Sequence, residues 1–218
     1  MLKYHKDFNP SSQEMNKWFS DRGDNTHILN HSLDENSVVI DLGAYTGVWA
    51  QQLNRRVKCK IYLLEPIKKF TNILERKYKN TPNIKILNFG ISTENKKLCV
   101  PNEKLNNDAT DLLNIDNENK TGEKIELITL EKLMEDNKLT KIDLIQINIE
   151  GFEYDILENW IDSGLINKIR TLQIQFHPFE GINDPIGRRK KIQDNLENLG
   201  FKLKYKYDWV WECWEKLE

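Results

Sequence analysis

The chain has 218 residues, of which 39% are hydrophobic and 30% are charged. This length suits one domain with a sizeable core and is short for two ordinary domains plus a linker. The 32 basic and 34 acidic residues nearly cancel, which leaves a net charge of -2. A nucleic-acid-binding surface needs a basic surplus, so we expect no nucleic-acid partner.

The longest apolar runs are too short to cross a bilayer, and the N-terminal segment lacks the apolar stretch of a signal peptide. We therefore expect a cytoplasmic protein with no membrane span. Cys59, Cys99 and Cys213 are widely separated and form no C-x-x-C pair, so they indicate neither a disulfide framework nor a zinc site. The sequence contains no cluster of histidines and carboxylates that would predict a metal site.

The N-terminal segment, residues 1–36, is predicted to hold one helix. Ser11 and Glu14 have the spacing of a capping box and precede an apolar stretch. We expect this segment to form a helical cover for the main part of the chain, residues 37–218, with a single domain overall.

From residue 37 onward, short apolar runs alternate with amphipathic segments. The runs predict strands at residues 37–43, 60–66, 84–90, 142–149 and 171–177. The amphipathic segments predict helices at residues 48–56, 68–80, 130–137, 152–165 and 188–199. This alternation is typical of βαβ units with a parallel sheet. The tail "FKLKYKYD" and "WVWECWE" predicts a closing hairpin, which makes the last strand antiparallel.

A polar stretch at residues 93–124 interrupts this alternation and predicts a loop with one short strand at "KLCVP". A loop of this length is either a substrate lid or mobile surface. The tail contributes Trp209, Trp211 and Trp214, which are expected in the core or a dimer contact more than in a sugar-stacking platform.

The stretch "VVIDLGAYTGVWA" combines a strand ending at Asp41, a turn containing Gly43 and Gly47, and a helix. In doubly wound folds such a turn brings the backbone close to a ligand at the carboxyl edge of the sheet. Glu65 ends the next strand, eighteen residues beyond Gly47, where an acidic side chain accepts hydrogen bonds from ribose hydroxyls. The two features together predict a nucleoside site.

The identity of the nucleoside follows from what the turn lacks. Tyr45 occupies the position where the dinucleotide motif G-x-G-x-x-G has its second glycine, and no phosphate-binding G-x-x-x-x-G-K-[ST] motif is present. S-adenosylmethionine, an adenosine ligand without a pyrophosphate, therefore fits better. A nicotinamide-dependent oxidoreductase remains the alternative.

The segments "VIDLGAYTGVWA", "YLLEP", "ELITLEKLM" and above all "IDLIQINIEGFEYDIL" resemble the FkbM-type S-adenosylmethionine-dependent methyltransferases. The resemblance implies the α/β, class I, Rossmann-like fold, with a doubly wound, mostly parallel seven-stranded sheet, an antiparallel last strand and helices on both faces. It also implies O-methylation of a hydroxyl on a sugar or small molecule, frequently in surface polysaccharide or glycan biosynthesis. The positions expected to bind the cofactor are Asp41, Gly43, Ala44, Tyr45, Gly47, Glu65, Pro66, Gly90 and Ile91.

Three candidates for catalysis follow the fourth and fifth predicted strands, at the edge where ligands bind in such folds. His177 is the candidate general base, against the alternative that it bonds only a backbone group. Glu150 is expected to bind the cofactor ammonium or to orient the acceptor, against a purely helix-stabilising role. Asn148 stands where many family members have Asp and can only orient by hydrogen bonds.

Asn148 also keeps open a third possibility, a non-catalytic module of glycan assembly. The expected partner of an active enzyme is a small-molecule or sugar acceptor, with a nucleotide-linked acceptor and a homodimer as open alternatives. For a nucleotide-linked sugar, Arg188 or Arg189 could meet the phosphate, although a solvated helix start is the favoured interpretation. Gln146 and Gln173 are expected to bond each other in a buried ladder.

Overall fold

The computed structural model describes residues 3–6, 12–102, 105 and 121–216. Its α-helices are α1 (Ser12–Ser20), α2 (Val48–Arg56), α3 (Lys68–Lys77), α4 (Leu130–Asp136), α5 (Glu153–Asp162) and α6 (Pro185–Asn198). Its strands are β1 (Val38–Leu42), β2 (Lys60–Leu64), β3 (Ile84–Leu87), β4 (Gly90–Ile91), β5 (Lys96–Val100), β6 (Glu123–Ile128), β7 (Ile142–Ile147), β8 (Ile169–Ile174), β9 (Phe201–Tyr207) and β10 (Trp211–Lys216). Short 3-10 helices occupy His27–Leu29 and Leu165–Lys168.

The main sheet has seven strands in the order β3-β2-β1-β7-β8-β10-β9. Parallel pairing joins the first five strands of this order, which are β3, β2, β1, β7 and β8. Strand β10 runs antiparallel to both of its neighbours, β8 and β9. The predicted seven-stranded sheet with an antiparallel last strand is therefore confirmed. Because β1, β7 and β8 are adjacent and parallel, their following loops meet at one edge of the sheet.

Alternate residues of the central strands face two separate hydrophobic cores. Ile40 and Ile145 belong to the core that also contains Trp160 of α5 and Ile192 of α6. Val39 and Leu144 belong to the core that contains residues of α2 and α3. The two-residue period of the strands thus buries both faces of the sheet. In the tail, Trp211 and Trp214 are buried, in agreement with the core interpretation.

A second sheet of three strands, in the order β4-β6-β5, was not predicted. The short strand expected at "KLCVP" corresponds to β5, but the predicted loop extends too far, because β6 begins at Glu123. Ile125 and Leu127 of β6 pack against Ile67 and Phe70 in a small core. Most of the remaining predicted loop, residues 103–104 and 106–120, lies outside the described residues.

The predicted N-terminal helix is present as α1 and packs beside β9, where the Trp18 and Tyr207 rings meet edge to face at 5.1 Å. The proposed cap Ser11 lies outside the described residues. A separate contact is made by residues 3–6, since His5 N donates to Pro178 O at 2.7 Å. Over the described ranges, no helix combines the length and apolarity needed to cross a membrane.

Candidate active site

The glycine turn after β1 packs directly against the loop after β7. A Cβ on Gly43, whose φ is +78°, would lie 2.0 Å from the backbone oxygen of Asn148. The N–H groups of Gly43 and Ala44 both donate to Leu64 O at 3.1 Å. Only glycine at position 43 combines this φ with this close approach, so the glycine turn and the loop after β7 are in direct contact.

Tyr45 and Glu65 join the glycine turn to the end of β2. The Tyr45 N–H donates to Glu65 Oε2 at 2.9 Å, and the Ile67 N–H donates to Glu65 Oε1 at 3.0 Å. Burial raises the pKa of Glu65 to about 7, against these two hydrogen bonds that lower it. Tyr45 has a φ of +48° and packs its ring against Phe70 at 4.5 Å. Tyr45, the non-glycine residue in the turn, is therefore fixed by Glu65 after β2 and by Phe70 of α3.

The loop after β7 is organised by Glu153, a residue that the sequence interpretation missed. Glu153 is fully buried and accepts hydrogen bonds from Ile149 N at 3.0 Å and Gly151 N at 2.9 Å. Glu150 and Gly151 in this loop have φ values of +54° and +104°. The carboxylate therefore stabilises a turn that places Asn148 and Glu150 at the sheet edge. An acidic residue two positions after a glycine, in the first helical turn, is the signal that could have identified it.

His177 lies between two carboxylates. Its Nδ1 is 2.9 Å from Glu153 Oε1, and its Nε2 is 4.0 Å from Glu150 Oε1. Burial alone lowers the pKa of His177, but the charges of Glu153 and Glu150 outweigh it and raise the pKa above its ordinary value. The positions after neighbouring strands predicted the proximity of His177 and Glu150, and the structure brings them together.

A cavity of about 920 Å³, measured out to its open mouth, lies at this edge of the sheet. Eight of the predicted site residues line it: Gly43, Tyr45, Glu65, Pro66, Gly90, Ile91, Asn148 and Glu150. Apolar side chains complete the wall: Leu42, Leu64, Ile67, Phe70, Leu127, Ile149 and Phe152. A largely apolar pocket with a few polar groups is the usual form of a nucleoside-sized site.

The other four predicted residues lie behind this wall. Asp41 is 1% exposed, and its Oδ1 accepts a hydrogen bond from Gln146 Nε2 at 3.2 Å. Burial raises the pKa of Asp41 to about 7. Ala44 is buried in the turn, and Gly47 precedes α2 and accepts a hydrogen bond from Tyr78 Oη at 2.5 Å. His177 does not line the cavity, and its Nε2 faces the lining residue Glu150.

The cavity fits the predicted S-adenosylmethionine. Asn148 lines the cavity, and its buried Oδ1 has no hydrogen-bond partner among the residues that the structure describes. A buried acceptor without a donor is unfavourable, and the cofactor's ammonium group is a donor of the right charge for a wall that also carries Glu65 and Glu150. Asn148, Glu65 and Glu150 are therefore the residues that would hold its polar groups.

The two arginines considered for phosphate binding have other partners. Arg188 Nη2 pairs with Asp155 and Glu158, each at 2.6 Å, and Arg189 Nη2 pairs with Glu212 at 2.7 Å. Both side chains thus brace α6 against neighbouring elements. Within the described ranges, no group of three or more metal-binding side chains occurs.

Comparison with known proteins gives a family and a fold. The methyltransferase FkbM domain family matches residues 41–203, more than half of the chain. M. capricolum TrmK in complex with S-adenosyl-homocysteine has a similar structure, with 13% identity, a TM-score of 0.50, and coverage of 89% of this chain and 68% of that chain. No curated protein matches the sequence significantly.

Two further solved structures are similar at a TM-score of 0.48 and 11% identity. Precorrin-6y C5,15-methyltransferase from Geobacter metallireducens GS-15 matches over 99% of this chain and 94% of that chain. Aeropyrum pernix fibrillarin with bound S-adenosyl-L-methionine matches over 90% of this chain and 74% of that chain. Because the family match contains the glycine turn, the loop after β7 and His177, the choice between the two cofactors is decided. The chain belongs to the FkbM methyltransferase family and uses S-adenosylmethionine as the cofactor of methyl transfer.

Proposed function

We propose that this methyltransferase transfers the methyl group to a hydroxyl oxygen of a sugar or other small molecule. The observation that carries the proposal is the arrangement of His177, with Nδ1 at Glu153 and Nε2 facing Glu150 on the cavity wall. An unactivated alcohol must lose a proton when it is methylated, and a positioned base promotes this loss. A histidine braced by carboxylates is suited to accept it.

Bound S-adenosylmethionine supplies a methyl group on a sulfonium centre. Glu150 orients the acceptor hydroxyl at the cavity wall and accepts its proton, which then passes to His177 Nε2, 4.0 Å from Glu150 Oε1. Glu153 fixes the His177 ring through Nδ1 and stabilises the imidazolium that results. Asn148 contributes by hydrogen bonding alone, because its amide cannot take a proton. Much of the rate then comes from holding the acceptor in line with the methyl group.

A small-molecule acceptor is supported by the near-neutral charge of the chain, which provides no basic surplus for a polyanion. The engagement of Arg188 and Arg189 in ion pairs removes the two side chains considered for a nucleotide-linked acceptor. We keep a role in glycan biosynthesis, the division into a cover at residues 1–36 and a domain at 37–218, and a homodimer as parts of the proposal.

The test compares surface glycans from cells with the protein, without it, and with His177→Gln. The proposal predicts a sugar that loses about 14 mass units, one CH2, when the protein is absent or carries the substitution. Linkage analysis must place the lost methyl group on oxygen. An unchanged glycan profile, or a methyl group on nitrogen or carbon, contradicts the proposal; binding of cofactor without any methylated product supports the non-catalytic module instead.

A further inference from the structure

A continuous row of polar side chains crosses the buried centre of the main sheet. Asp41 of β1 is the register partner of Gln146 of β7, and Gln146 is the register partner of Gln173 of β8. These residues are 1%, 6% and 0% exposed. Buried parallel strands are normally apolar on both faces. Three polar residues at one level of three adjacent strands therefore require a reason beyond the fold.

Each glutamine side chain of this row donates a hydrogen bond to its neighbour on the Asp41 side. Gln173 Oε1 accepts from Tyr205 Oη at 2.8 Å and pairs with His31 Nε2 at 2.9 Å. Gln173 Nε2 donates to Gln146 Oε1, and Gln146 Nε2 donates to Asp41 Oδ1 at 3.2 Å. Because the Gln173 oxygen already has two partners, its amide nitrogen must face Gln146. That contact in turn directs the Gln146 nitrogen to Asp41.

His31 strengthens the orientation of the row at its far end. Burial lowers the pKa of His31 to about 4, so the ring is neutral near pH 7. A neutral ring that faces the Gln173 oxygen with Nε2 carries its proton there and donates it. The row is therefore fixed by β9 and by the segment before β1.

We infer that Gln146, oriented by Gln173, is a positioning residue that keeps the Asp41 carboxylate ionised behind the glycine turn, where its negative charge attracts the cofactor's cationic end. The inference rests on Asp41 belonging to the cofactor site. It extends the proposed function by assigning a role to residues that lie outside the cavity wall. A donor at this position favours the charged form of a carboxyl group over the protonated form.

Two other titratable groups face Asp41. The charge of Glu65, which follows β2, raises the pKa of Asp41. Burial and the charge of Asp41 raise the pKa of Tyr78, the residue that follows α3. Burial and Glu65 thus favour a protonated Asp41, and the hydrogen bond from Gln146 opposes them. The hydrogen bonds of Glu65 come from backbone N–H groups and are independent of Gln146. Loss of the Gln146 donor should therefore act on Asp41 selectively.

The experiment measures binding of S-adenosylhomocysteine to the full chain by isothermal titration calorimetry between pH 6 and pH 9. Because Asp41 becomes protonated as the pH falls through its pKa, the affinity for S-adenosylhomocysteine should fall toward pH 6. In Gln146→Met, which keeps the shape and removes the donor, we expect affinity at pH 7 to fall about fivefold, in proportion to the ionised fraction of Asp41. The midpoint of the pH profile should move upward by about one unit, with affinity recovering toward that of the unaltered chain at pH 9.

Gln173→Met provides a second variant that does not touch Asp41, and it should move the midpoint in the same direction. The matched control is Thr171→Val, two residues away on β8, because the Thr171 hydroxyl is buried and lacks a partner in the described part of the chain. Its pH profile should equal that of the unaltered chain.

An affinity loss of equal size at every pH, or an unchanged midpoint in both glutamine variants, overturns the inference. The methyl acceptor does not enter this measurement, so the result is independent of whether the acceptor atom is a hydroxyl oxygen.

Discussion

Replacement of Glu153 by glutamine tests how the loop after β7 is held. One carboxylate accepts three hydrogen bonds, from Ile149 N and His177 Nδ1 at Oε1 and from Gly151 N at Oε2, with distances of 2.9 to 3.0 Å. A glutamine amide has the same shape but only one acceptor oxygen. Its NH2 group must therefore face one of these N–H groups, which leaves a buried donor without a partner.

The expected loss of stability follows from this count. A hydrogen bond to a charged group contributes about 1.5–3 kcal/mol, and an unpaired buried donor costs about 1–3 kcal/mol. We expect Glu153→Gln to lower the free energy of unfolding by about 3 kcal/mol. The matched control is Glu158→Gln on the same helix, where a partly exposed ion pair with Arg188 is lost. That change should cost less than about 1 kcal/mol.

The loss should also depend on pH, because Glu153 is one of the two carboxylates that raise the pKa of His177. A histidine whose pKa is raised on folding adds stability that is fully present below its unfolded pKa, about 6.5. This stability disappears as pH rises through the folded pKa. The difference between the unaltered chain and Glu153→Gln should therefore be larger at pH 5.5 than at pH 9.

Urea unfolding at the two pH values measures the free energies, and an NMR titration of His177 measures its pKa in both proteins. The reasoning is refuted if the variant loses less than about 0.5 kcal/mol, or if it loses the same amount at both pH values and His177 titrates unchanged.

Two further predictions concern the turn and the sheet. Gly43→Ala should abolish detectable S-adenosylhomocysteine binding in calorimetry, because its Cβ would lie 2.0 Å from the Asn148 backbone oxygen. The control is Gly200→Ala, which has a similar φ of +89° and open space around it. That change should lower the free energy of unfolding by about 1 kcal/mol and leave the affinity unchanged. Thr171→Val should raise the free energy of unfolding by about 1 kcal/mol in urea titrations, since it removes a buried hydroxyl that lacks a partner in the described ranges; a loss of stability would show that the hydroxyl is bonded.

The regular part of the fold could be predicted because its apolar residues follow the helix and strand periods closely. Helix α2 has the predicted bounds, 48–56, since amphipathic spacing and the preceding glycine define both ends. Strands β7 and β8 end earlier than predicted, at Ile147 and Ile174. The apolar pattern continues into the loops, where Ile149 and Phe176 are packed without strand pairing. Hydrophobicity reports burial and does not by itself report backbone pairing.

Glu153 and β6 could not be predicted for different physical reasons. Glu153 occupies a helix position that looks solvent-facing, and its partner His177 comes from another part of the chain. A buried carboxylate is recognisable only once its donors are known. Strand β6 begins with charged residues inside a polar stretch, and its pairing with β4 and β5 decides its structure more than its own sequence does.

The chemistry of the sheet edge explains why the fold keeps these polar groups. Asp41 and Glu65 are both buried, and both have pKa values raised to about 7. Across the described residues, no lysine, arginine or histidine forms an ion pair with either carboxyl group. Two buried carboxylates without a cation destabilise the free protein. A cofactor that places a positive charge beside them would reduce this penalty on binding, so the same residues that weaken the free fold would favour the complex.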